Sequence, residues 1–133
     1  MIVAVADTSA LIRLYIPDGP VVEGVEAAVD AAWRGEGLLL CPELALAEMT
    51  QVVWKKEIAG HLSSGEADEL FEAFLELPLH PVRHGDLLAP ARTVARRHGL
   101  SIYDGLFLAL AIRHRCPLLT ADQTLAQAAQ KET

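Results

Sequence analysis

Apolar positions along this chain fall into two rhythms. Short unbroken apolar runs occur at residues 2–6, 38–41 and 116–120, with a weaker one at 78–82. Runs of this length between turn formers predict buried strands. Pro78 and Pro81 limit the weaker run to a sheet edge. Elsewhere apolar residues recur at steps of three and four. Val21, Val22, Val25, Ala28, Val29 and Ala32 predict a helix to about residue 33, capped by Asp18 or Gly19 with Pro20 in its first turn. Residues 10–16 predict a shorter helix behind the turn Asp7-Thr8-Ser9. Pro42 is placed to open a helix to about residue 58, which Gly60 closes. Ser63 and Glu66 match a capping box ahead of Leu70, Phe71, Phe74, Leu75 and Leu77. A helix over 86–98 takes Pro90 in its first turn and stops at Gly99. The segment 101–115 is apolar on every side after its first turn, as in a helix buried among other elements. Asp122 heads a last helix from 123 to about 131.

The resulting order is β α α β α α β α α β α. Strands alternating with helices imply a parallel sheet covered on both faces. Such sheets build their sites beyond the carboxyl ends of the strands. The 133 residues suit one domain, 1–133, without linker or repeat. Aromatics are only 5%, so Leu, Ala, Val and Ile must make the core.

Bulk properties narrow the function. No apolar run approaches the roughly 20 residues of a membrane span, and the N-terminal run meets Asp7 too soon for a signal segment. A cytoplasmic protein away from membranes is expected. Cys41 and Cys116 lie apart in apolar surroundings and read as buried thiols. The histidines at 61, 80, 84, 98 and 114 lack zinc-type spacing and read as surface or turn residues. The net charge of −7 argues against a broad basic face that grips nucleic acid, though not against a local site where bound cations reverse the field.

Four acids stand at the edges of apolar segments. Asp7 follows the first strand and Asp122 the last, so both belong to one edge of the sheet. Asp104 enters the apolar helix one turn after Ser101. Glu48 sits at the margin of an apolar stripe, between Leu44 and Val52. Each has an ordinary structural reading as a cap or a boundary carboxylate. Gathered together without His or Cys, they would select a hard divalent cation, Mg²⁺ or Mn²⁺, and suit phosphodiester hydrolysis. Glu66, Asp68, Glu69, Glu72 and Glu76 form a solvated face instead.

The runs Asp7-Thr8-Ser9-Ala10-Leu11, Glu43-Leu44-Ala45-Leu46-Ala47-Glu48, Ser101-Ile102-Tyr103-Asp104-Gly105-Leu106-Phe107-Leu108-Ala109-Leu110-Ala111 and Leu118-Leu119-Thr120-Ala121-Asp122, in this order, resemble the PIN-domain ribonucleases. The likeness is nearest to the VapC-type toxins of toxin–antitoxin pairs and spans essentially the whole chain. It implies a three-layer α/β/α sandwich with a central parallel sheet of about four strands. It also implies an endoribonuclease using Mg²⁺ or Mn²⁺, with Asp7, Glu48, Asp104 and Asp122 as catalytic, metal-holding carboxylates. Asp7 and Asp104 would be the direct ligands, and Glu48 and Asp122 would act directly or through water. Thr8, Ser9 and Thr120 would orient them. A homodimer held inactive by a VapB-type antitoxin is implied as well. Arg13, Lys55, Arg113 and Arg115 are candidates for contacts to the RNA substrate.

Two departures stand out. Many members add a strand after the last helix, beyond the point where this chain stops. Gly105 occupies a position where Ala is common, and little effect is expected beyond a small helix-propensity cost. The alternative to catalysis is a PIN-like module that only binds RNA or protein, and the complete acid set disfavours it. Aspartyl-phosphate chemistry fits poorly: Ser9 stands where a haloacid-dehalogenase-type phosphatase needs a second Asp, and no Lys follows Leu119 as a response receiver requires.

Overall fold

The computed structural model describes residues 1–133. Its elements are β1 (Ile2–Ala6), α1 (Thr8–Ile12), α2 (Val25–Trp33), β2 (Leu38–Pro42), α3 (Leu44–Ile58), α4 (Ser64–Glu76), β3 (Leu79–Val82), α5 (Leu88–His98), α6 (Ile102–His114), β4 (Leu118–Leu119) and α7 (Gln123–Lys131), with a 3₁₀ turn at Gly85–Leu87 before α5. The strands lie in the order β3-β2-β1-β4, and every neighbouring pair is parallel. β3 is an edge strand, as its prolines require.

Alternation along the strands divides the core in two. Ala4, Ala6 and Leu39 face a cluster built with α1, α2, α3 and α4. Val5 and Leu40, one residue out of step, face a second cluster built with α5, α6 and α7. These clusters are the two seams of an α/β/α sandwich. α6 is the central helix of its layer, buried without interruption from Gly105 to Ala111. That enclosure is why its sequence carries no polar stripe.

Several boundaries differ from the sequence expectation, for local reasons. α1 stops at Ile12, not at residue 16, because the Leu14 and Tyr15 amides turn to the carbonyls three residues back, of Leu11 and Ile12, and the helix loosens into turns ahead of Pro17. α2 begins at Val25: Gly24 adopts φ 92°, a left-handed conformation that breaks any helix begun near Pro20. Pro42 ends β2 and does not open α3. It pairs with Val82, and the next amide, Glu43 N–H, extends the ladder to the Val82 carbonyl at 2.9 Å. β4 shrinks to two residues because the Cys116 amide is taken by Ala111 at the end of α6. Cys41 is buried, its thiol pushed up to about 12 by desolvation, but Cys116 is only partly covered. His98 is not a surface residue: its side chain is 8% exposed, with Nε2 2.6 Å from Glu132. The capping box of Ser63 and Glu66 forms with both its bonds.

Gly105 overturns the expectation of a neutral position. A Cβ built there would stand 2.7 Å from the Ala91 carbonyl oxygen and 3.3 Å from its carbon. The first turns of α5 and α6 touch backbone to backbone, and only glycine allows that approach.

Candidate active site

Asp7 is the only buried charged residue of the chain, at 6% exposure. It leaves β1 in extended backbone and caps α1, accepting the Ala10 amide at 2.9 Å on Oδ1. The Ser9 hydroxyl donates to the same oxygen at 2.7 Å, and the Thr120 hydroxyl donates to Oδ2. Ser9 Oγ also accepts the Ala121 amide at 3.0 Å, and Thr120 Oγ1 accepts the Asp122 amide at 3.0 Å. Two hydroxyls thus lace the end of β1 to the end of β4. Asp122 uses Oδ1 to cap α7 through the Leu125 amide at 3.0 Å. Glu48, in the second turn of α3, accepts the Thr8 hydroxyl at 2.8 Å. Asp104 lies in the first turn of α6, whose N-cap Ser101 accepts the Asp104 amide at 3.1 Å.

All four acids line one cavity of about 280 Å³ at the carboxyl edge of the sheet, with Thr8, Ser9, Ile12, Val52 and Phe107 completing its wall. The apolar members were not anticipated, yet the spacing held the signal. Val52 is one turn beyond Glu48 and Phe107 one turn beyond Asp104, so each shares its acid's helix face.

None of the four anticipated basic residues lines this cavity. Arg13 is turned onto the 17–20 loop, reaching the Pro20 carbonyl at 3.4 Å. Lys55 lies seven residues beyond Glu48, roughly 10 Å further along α3. Arg113 is in the last turn of α6 and reaches the Asp86 carbonyl at 3.2 Å. Arg115 caps that helix with φ 52°.

The electrostatics follow from this exclusion. None of the five ion pairs of the chain involves these acids. Burial raises the Asp7 carboxyl above its ordinary range, the Asp122 charge adds to it, and the three hydrogen bonds partly offset the rise. Burial likewise raises Glu48, with Asp104 and Asp7 adding repulsion. Asp104 is raised by burial and then by Asp122 and Asp7. As the side chains stand, no three acids converge on one ion-sized point. The donor chemistry nevertheless fits a hard divalent cation: oxygen only, multiply anionic, and lacking a protein counter-charge.

These shifts set a sign for stability. A raised folded pKa means that the folded chain binds protons more readily than the unfolded chain, so stability falls as pH rises through the raised values. In chelator, the thermal midpoint should therefore rise as pH drops through the raised values toward the ordinary carboxylate range. Glu132, which Arg97 and His98 hold below its ordinary value, loses its contribution only at lower pH. Asp104→Asn should raise the midpoint at neutral pH by about 2–5 °C and flatten this dependence. A midpoint insensitive to pH in both proteins, read by scanning calorimetry, would contradict the repulsion described here.

A parallel sheet between two helical layers, with acids from four elements around a cavity at the strand ends, defines an α/β domain of the acid-site type. The chain belongs to the PIN-domain family, whose pattern matches residues 4–131. It is 35% identical over 127 residues to Ribonuclease VapC3 of Pyrobaculum aerophilum, with 92% of each chain covered. Among solved structures it resembles PAE2754 from Pyrobaculum aerophilum, at a TM-score of 0.71 and 21% identity, covering 96% of this chain and 84% of that one. FitAcB from Neisseria gonorrhoeae gives a TM-score of 0.58 at 21% identity, with 96% and 93% covered. These two likenesses concern the fold.

Proposed function

We propose that residues 1–133 form a single PIN domain that hydrolyses RNA as a Mg²⁺- or Mn²⁺-dependent endoribonuclease, the toxin of a VapBC-type pair. The observation that carries this is the gathering of Asp7, Glu48, Asp104 and Asp122 around one cavity with no cationic side chain among them. Family membership and the 35% identity to a protein named Ribonuclease VapC3 support the same reading.

The chain's own residues would hold and aim the ion. Asp7 Oδ2 accepts one hydrogen bond, from Thr120, and keeps a lone pair for an ion, while Oδ1 is taken up by Ser9 and Ala10. Glu48 Oε2 is free while Thr8 holds Oε1, and Asp122 Oδ2 is free while Oδ1 caps α7. Asp104 is fixed by the buried rod of α6. A divalent cation there would lower the pKa of water and offset charge on the scissile phosphate. Ser9 and Thr120 keep the Asp7 carboxylate oriented between cycles, and Ile12, Val52 and Phe107 limit water around it.

We also read the chain as a cytoplasmic homodimer, controlled by a separate VapB-type antitoxin whose tail enters the groove. No helix here is long and apolar enough to cross a membrane. The test is cleavage-site mapping on total RNA. Discrete products are expected with Mg²⁺ or Mn²⁺, none in chelator, and recovery when the ion is restored. Cleavage undiminished by chelator overturns the metal requirement. RNA binding without any cleavage, under all ions, moves the chain to the alternative of a non-catalytic module.

A further inference from the structure

Two of the cavity acids stand at the starts of two helices and repel each other. Asp104 lies in the first turn of α6 and Asp122 caps α7, and the Asp122 charge helps to lift the Asp104 carboxyl. No base in the cavity wall offsets the pair. The two helices share an apolar seam, where Leu125 and Ala128 of α7 join the core cluster that holds residues 106–111 of α6. Apolar burial is non-directional, so the seam alone does not fix one helix against the other. β4, which leads into α7, is only two residues long.

The far end of α7 carries a polar tie. Glu132, its C-cap, accepts two hydrogen bonds on Oε2, one from Arg97 and one from His98 Nε2 at 2.6 Å. The tie is shielded from water, since the His98 and Glu132 side chains are 8% and 14% exposed. Charge-assisted bonds of this kind are strong and directional. The dipole of α7 disfavours a carboxylate at its C-terminus, so the cations of α5 are what stabilise Glu132 there. The anchor is close in sequence to the other acid. His98 ends α5, Gly99 makes a left-handed turn, and Ser101 caps α6 by accepting the Asp104 amide. α7 thus runs from Asp122 at the cavity to the turn that starts the Asp104 helix.

We propose that Glu132, with Arg97 and His98, is a positioning clamp that makes α7 a strut, holding Asp122 and Asp104 at the cavity against their mutual repulsion. The clamp rests on the divalent-metal reading of that cavity. Residues that orient ligating groups from outside are worth about 10–100-fold in metal affinity.

The test is Mn²⁺ binding to the full chain without RNA, read from the paramagnetic resonance signal of free Mn²⁺. Circular dichroism sets a temperature at which every variant is folded. Glu132→Ala is expected to weaken Mn²⁺ binding about tenfold. Glu132→Gln keeps an acceptor for His98 and should recover most of that loss. Asp122→Asn removes the repulsion, so in that background Glu132→Ala should cost less than about twofold. A clamp that only stabilised the fold would cost the same factor in both backgrounds. Equal factors, or wild-type affinity in folded Glu132→Ala, would overturn the clamp and leave the metal site standing. A wild-type protein that binds no Mn²⁺ would remove the metal reading and the clamp with it.

Discussion

Asp7→Asn is expected to lower metal-dependent RNA cleavage by about a thousandfold or more while leaving the fold intact. The two halves of that expectation come from different atoms. The amide can keep an oxygen where Oδ1 accepts the Ser9 hydroxyl and the Ala10 amide, so the α1 cap survives. Its NH₂ then faces Thr120 Oγ1, which must turn from donor to acceptor while still receiving the Asp122 amide. That rearrangement is small. The loss of charge is not, because an amide cannot serve as an anionic ligand, and charge stabilisation by a bound cation is worth several kcal/mol in a transition state. Ser9→Ala leaves the charge and removes one of three hydrogen bonds, so it should reduce the rate far less, about tenfold. Initial rates on an RNA oligonucleotide, with circular dichroism to verify folding, separate the two effects. Full activity in a folded Asp7→Asn protein would remove Asp7 from the chemistry.

The acids were legible because each interrupts an apolar segment, and such interruptions are unfavourable unless something uses them. The element order was legible for the same reason: strand and helix periods alternate without ambiguity. What the sequence concealed depends on backbone path. Nothing in Val21 and Val22 reveals that Gly24 turns left-handed and delays α2 to Val25. Pro42 reads as a helix opener by type, yet parallel pairing with β3 draws it into the sheet. The basic residues show the limit most clearly. Lys55, seven residues after Glu48, shares its helical phase, but phase ignores distance along the axis. The crossing of α5 and α6, Ala91 against Gly105, joins residues fourteen apart in sequence. Contacts across helices are set by packing, and no periodicity within one helix encodes them.

That crossing yields the last expectation: Gly105→Ala should destabilise the protein, against helix propensity. In an isolated helix the change would stabilise by roughly 1 kcal/mol. Here the added methyl would stand 2.7 Å from the Ala91 oxygen, 3.3 Å from its carbon and 3.5 Å from its Cα, all backbone atoms of α5. No side chain can rotate away, so α5 itself must move. The crowding lies between two tightly packed helices, where overpacking is destabilising by about 1–3 kcal/mol. The net expectation is a loss of about 1–2 kcal/mol, read as a fall of roughly 3–8 °C in thermal midpoint. Activity should fall with it under conditions where the variant remains folded, because Asp104 precedes the displaced residue and α6 is the rod that holds it. Gly105→Val should be worse on both measures, since the second branch has the same backbone to meet and β-branching stiffens it. A midpoint that rises in Gly105→Ala would mean that α5 gives way at little cost. The rigid placement of Asp104 against Asp7 would then have to come from the sheet side of α6 alone, where Val5, Leu40 and Cys41 complete the second core.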